Sequence, residues 1–129
     1  MIERAMKLRT PFTALLLAAI LTAPLAAHHS INAEFDSTKP VTLDGTVINV
    51  DWMNPHTYVF VDVKDPSVGK PRTWACELAS PSELARRGFT RESIKVGMMV
   101  HVMGTRAKDG SFKIHIDTLA TESGISLAK

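Results

Sequence analysis

The sequence predicts an all-β chain with one short helix, folded as a five-stranded OB-fold-like barrel with the helix between strands 3 and 4. Two observations carry this. Alternating apolar residues mark segments in the order strand, strand, strand, helix, strand, strand. The first strand also changes phase part-way along, as a strand does when it bends to pair on both sides of a small barrel. A five-stranded open sandwich with a helical plug is the competing architecture.

The first strand runs from Val41 to Trp52, with Val41, Leu43 and Val47 in one phase and Ile48, Val50 and Trp52 in the other. The change near Val47 predicts a bulge or sharp bend, with Gly45 close by because it has no side chain to obstruct a neighbouring backbone. Asn54-Pro55 ends this strand. A second follows from Thr57 to Val63, with Val59, Val61 and Val63 alternating against Tyr58, Phe60 and Asp62. The turn-forming run Asp65 to Gly69 leads into a third strand, Arg72 to Leu78. Ser80 as N-cap, Pro81 at the first helical position and Glu83 three residues after the cap then predict a short helix that stops at Gly88.

The fourth strand carries Met98, Val100 and Val102 on one face and Met99, His101 and Met103 on the other. The fifth is expected to turn Phe112, Ile114 and Ile116 inward. Asp109-Gly110 suggests a three-residue hairpin loop over Lys108 to Gly110, with Gly110 in the left-handed conformation. That register sets Val102 opposite Ile116, His101 opposite Asp117 and Met103 opposite His115. Both histidines would then share one outward face.

The N-terminal segment has the three parts of an export signal: basic Arg4, Lys7 and Arg9, an apolar core from Pro11 to Ala23, and a small-residue exit from Pro24 to Ala27. The apolar run is short for a membrane span, which needs about 20 residues. Residues 1–27 are therefore expected to be a secretory signal peptide, and the chain to be periplasmic or secreted. Residues 28–40 are expected to form an extended N-terminal arm, 41–122 the barrel domain and 123–129 a flexible tail. The roughly 100 residues left after cleavage suffice for one core.

The whole chain has 15 Lys+Arg against 13 Asp+Glu, and much of the basic excess lies in the signal segment. The balance that remains gives no long-range field for nucleic acid, so the expected partner is a protein or small ligand, with no nucleic acid and no membrane span after signal removal. Cys76, the single cysteine, cannot form an internal disulfide and alternates with Trp74 and Leu78, which points to burial. The chain has no serine elbow, glycine-rich phosphate loop or paired-histidine helix motif, so no catalytic residues are assigned and a non-enzymatic role is expected. Glu77 and Glu34 carry nothing that marks them above surface carboxylates.

The five histidines carry the chemistry. Cleavage after Ala27 would give His28 a free α-amine beside its own imidazole and that of His29, a donor set suited to copper. His56, after Asn54-Pro55, is the preferred third ligand, with Trp52 and Met53 beside it. A tryptophan face stabilises a nearby cation by roughly 0.5–2 kcal/mol. Met99, His101, Met103, His115 and Asp117 form a secondary, shallow and soft candidate set. The expected function is thus an exported binding protein that holds copper through His28, His29 and His56. The alternatives are a metal-independent OB-fold interaction module and, more remotely, a metal-dependent oxygenase.

Several motifs carry a family resemblance: His28-His29-Ser30 with Phe35-Asp36, Leu43 to Val47, Asp51 to His56, Ser80-Pro81 with Arg86-Arg87-Gly88, and Gly104 to Gly110. In this order and spacing they resemble the DUF6152 family of small exported bacterial proteins of unknown function. The resemblance implies an exported, barrel-like domain and supplies no catalytic residues. A looser likeness is to the periplasmic copper and silver chaperones with an OB-fold, which bind soft cations through His, Met and an adjacent Trp. Trp52, Met53 and His56 are the same residue types in a different order.

Overall fold

A computed structural model describes residues 30–128. Residues 1–27, expected to be an export signal, and the histidines His28 and His29 lie outside the described residues. One helical turn, α1 (Ile31–Glu34), precedes a 17-residue strand β1 (Phe35–Asp51). Then follow β2 (Tyr58–Asp65), β3 (Lys70–Glu77), α2 (Pro81–Arg86), β4 (Met99–Ala107), β5 (Lys113–Thr121) and the short β6 (Ser126–Ala128). The sheet order is β3-β2-β1-β4-β5-β6, and an additional β3–β5 pairing closes five strands into a ring.

The long first strand makes this closure possible. Its first part, from Phe35 to Thr46, pairs with β4, while Thr46 to Asp51 pairs with β2. The two parts meet at a bulge between Val47 and Asn49, where the sequence pattern changes phase. Val47 is fully buried there; its N–H donates to Met98 and its carbonyl accepts from Gly97. A β-carbon on Gly45 would run into the backbone carbonyl of Asp62, and one on Gly104 into that of His115. Each of these glycines is needed because another strand's backbone passes where a side chain would stand.

Inside the ring, Leu43, Val59, Val61, Cys76, Val102, Ile114 and Leu119 are buried almost completely. Leu84 of α2 and Phe89 after it complete the same core, so the helix serves as a plug. Ser80 caps α2 by accepting from the Glu83 N–H at 3.4 Å, and Gly88 ends it at φ +77°. No helix among the described residues is long and apolar enough to cross a membrane.

Five expectations meet a different arrangement. Residues 30–40, read as part of an extended arm, hold α1 and the start of β1, and residues 126–128 of the expected tail form β6 against β5. The β4–β5 connection is longer than the expected three-residue loop, since Arg106 already pairs with Ile114 and Thr105 with His115. A bulge between Met103 and Gly104 then shifts the ladder, so Val102 faces Leu119, Met103 faces Thr118 and His101 faces Ala120. Phe112 is not inside; it lies in this loop, 37% exposed, edge-on to Trp74 at 5.0 Å. The Arg72 guanidinium lies over its ring at 4.1 Å. Gly110 does take the left-handed conformation, at φ +79°.

Two expected outcomes follow from the core. Gly45→Ala or Gly104→Ala forces two strand backbones apart and should destabilise by about 2 kcal/mol, read as a lower urea midpoint at an unchanged slope. Burial pushes the Cys76 thiol up to about 12. An aromatic disulfide reagent should therefore leave Cys76 unlabelled in the native protein and label one thiol per chain on unfolding; rapid native labelling would contradict this packing.

Candidate functional site

Strand register brings together a group of polar residues at one edge of the ring closure. Tyr58 pairs with Glu77 across β2–β3, and Glu77 pairs with His115 across β3–β5, so the three stand in a row on the outside of the barrel. Lys113, two residues before His115, falls on the same face. Phe35 covers the row, with its ring 5.5 Å from that of His115 and the Lys113 Nζ 5.5 Å from its centre.

Glu77 sits at the centre and is only 3% exposed. Tyr58 Oη donates to its Oε2 at 2.9 Å, and Lys113 Nζ lies 3.2 Å from the same oxygen while also contacting Glu34 at 2.5 Å. On the other oxygen, His115 Nδ1 lies at 3.6 Å and His56 Nδ1 at 3.7 Å. Burial alone would raise the Glu77 pKa. The hydrogen-bonding groups of His115 and Tyr58, with positive charge at His56 and Lys113, outweigh it and hold the carboxyl down to about 2. The same carboxylates hold Lys113 above the ordinary lysine range against its own desolvation.

The Glu77 reading is a correction: this carboxylate is buried at a junction of strands. Its signal was available in Trp74-Ala75-Cys76-Glu77-Leu78, where one charge interrupts an otherwise apolar run. A charge inside such a strand needs partners, but only the β3–β5 pairing reveals which.

Beside this group opens a cleft of about 240 Å³, walled by Ile31 of α1, Pro55 and His56 of the β1–β2 loop, Ser80, Glu83 and Arg87 around α2, and His115 and Asp117 of β5. His56 stands at the rim with its side chain 40% exposed, its Nδ1 3.3 Å from the Leu78 carbonyl. The His115 Nδ1 is buried without a hydrogen-bond partner within normal distance. Among the described residues, no three His, Cys, Asp or Glu side chains converge as a metal-ligand set.

The other candidates are dispersed. Trp52 packs on Phe89 at 6.3 Å, with Arg91 over its ring at 5.4 Å, so its face already holds a cation. Met53 is 52% exposed. The expected grouping of His101 with His115 and Asp117 does not form. His115 stands opposite Thr105, four positions along β4 from His101, or about 13 Å at the usual rise of a strand. His101 instead bonds Asp44 through Nδ1 at 2.7 Å, flanked on its strand by Met99 and Met103.

The Glu77 carboxylate yields a pH prediction. Its folded-state pKa of about 2 lies below the ordinary 4.5, so its stabilising contribution is complete above about 4.5 and is lost as the pH falls towards 2. Metal-free Glu77→Gln should be less stable than the parent at pH 7, and the gap should close between pH 4.5 and 2 in guanidinium unfolding. A gap that stays constant across that window would contradict the assigned partners.

No curated protein matches the chain in sequence. Among solved structures it is similar to the mitochondrial single-stranded DNA binding protein Rim1 of S. cerevisiae, at 9% identity and a TM-score of 0.51, over 68% of this chain and 94% of that one. The likeness is one of fold and supports the OB-type barrel. It also corrects the exclusion of nucleic acid drawn from charge balance, because a barrel of this type belongs to a protein that binds single-stranded DNA. A family of unknown function also matches in sequence. The model of that family matches residues 16–115, and the chain belongs to it: the family of unknown function DUF6152.

Proposed function

We propose that the chain is an exported, non-enzymatic binding protein, periplasmic or secreted, that holds a copper ion after removal of residues 1–27. The ligands in this reading are the α-amine and imidazole of His28, the imidazole of His29 and that of His56. One observation carries it: Ile31, two residues after His29, lines the same cleft as His56. An extended chain advances at most about 3.5 Å per residue, so His28 lies within about 10 Å of Ile31 along the chain. His115 lines the same cleft, with its Nδ1 turned to the Glu77 carboxylate at 3.6 Å. The cleft volume of about 240 Å³ suits an ion with a few waters better than an organic ligand, whose pockets run to about 300–1,000 Å³.

A second reading, a metal-independent interaction module, is favoured by Tyr58 and Phe60. These rings stand half-buried on the outer face of β2, 6.4 Å apart, and OB barrels commonly bind across strands 2 and 3.

Mature protein beginning at His28 should take up one equivalent of Cu(II) by calorimetric titration, and intact mass should report cleavage after Ala27. His28→Ala, His56→Ala, or one extra residue before His28 should each weaken uptake by about a hundredfold or more, at the upper end of what ligand-shell changes do. Uptake indifferent to all three would overturn the copper reading. Chelator-insensitive binding of an oligothymidine probe, lost in Phe60→Ala, would favour the second.

A further inference from the structure

We propose that the outward face of β4 is a separate site for a soft monovalent metal ion, Cu(I) or Ag(I), built from Met99, His101 and Met103. It shares no residue with the cleft and does not depend on the copper reading above. Strand alternation puts the three side chains on one face, with His101 about 6.8 Å from each methionine at the usual rise of 3.4 Å per residue. That spacing is within the combined reach of an imidazole and a thioether extended towards one another. Two thioethers with one imidazole are a soft donor set that selects Cu(I) and its analogue Ag(I) over harder divalent ions.

The neighbouring strands leave these donors open. On β1, Thr42, Asp44 and Thr46 stand opposite Met103, His101 and Met99 respectively. On β5, Thr118 faces Met103 and Ala120 faces His101, and just beyond the strand the Glu122 carboxylate accepts from the Met99 N–H at 3.3 Å. Met99 and Met103 are 48% and 46% exposed, although thioethers are usually drawn into a core. A shallow depression of about 240 Å³ lies over Asp44, Met99, His101, Ala120 and Glu122.

The orientation of His101 makes the set directional. A carboxylate only accepts, so in the neutral imidazole the 2.7 Å contact with Asp44 selects the tautomer with its proton on His101 Nδ1 and its lone pair on Nε2. Carboxylate-to-histidine pairing of this kind is how ligand imidazoles are commonly held and made more basic. Thr46 Oγ donates to the Met99 sulfur at 3.2 Å and holds that thioether towards β1, on the same side as Asp44. Asp44 is therefore a positioning residue, and it supplies negative charge beside an incoming cation.

The test is an Ag(I) titration of the mature chain, followed by methionine-methyl and histidine NMR. The expected result is one equivalent bound, with shifts at Met99, Met103 and His101 and none at Met53 or His56. Met99→Leu with Met103→Leu, a volume-conserving change on an exposed face, should weaken Ag(I) binding at least a hundredfold while Cu(II) uptake stays unchanged. Asp44→Asn should weaken it about tenfold, and Cys76→Ala should leave it unaltered. Ag(I) affinity unchanged in the double variant, or lost in Cys76→Ala, overturns the proposal. Loss of Cu(II) uptake in His28→Ala with Ag(I) binding intact separates the two sites.

Discussion

The bend in β1 at Val47 to Asn49 is the constraint from which the rest of the fold follows. One strand can serve both β4 and β2 only if it turns between them, and a bulge supplies that turn by inserting a residue that shifts the β1–β2 register. Gly45 sits beside the bend with Asp62 against its α-carbon, so the two strands approach more closely than any side chain would permit. Once β1 turns, β2 and β3 are carried round to meet β5. The meeting is brief, three residue pairs, but it closes the ring around Val59, Val61, Cys76 and Ile114.

That closure also creates the polar centre. Where β3 meets β5, Glu77 is brought between Tyr58 and His115 and loses nearly all contact with water. An unpaired carboxylate there would be strongly disfavoured. Two histidines, a tyrosine and a lysine from the β1–β2 loop, β2 and β5 answer its charge, which ties the loop carrying His56 to the closed edge of the barrel. The cleft beside it is consequently walled by elements that are fixed by the core.

The donor-bearing residues fall into two groups of different hardness on different parts of the surface. Imidazoles and carboxylates gather at the cleft, while thioethers flank His101 on β4. In each group a carboxylate faces histidine Nδ1, Glu77 at longer range and Asp44 within a hydrogen bond. The difference lies in burial, since Glu77 is enclosed and Asp44 stands in water. Water therefore weakens the electrostatic hold of Asp44 but not the geometric one.

Local chemistry made much of this architecture legible from residue order. Period-two alternation named the strands, the phase change at Val47 named the bend, and Ser80-Pro81 with Gly88 bounded the helix, because each of these signals acts within a few residues of itself. Pairing across the β4–β5 hairpin was not legible. The bulge at Met103 and the longer connection depend on where Gly104 lets the His115 backbone approach, which is a contact between strands. For that reason the sequence determined which residues carry donors and which strand faces they occupy. Tertiary structure decided that His101 and His115 stand apart, that Glu77 is buried between histidines, and that Phe112 lies outside, since each depends on a register set by the closed ring.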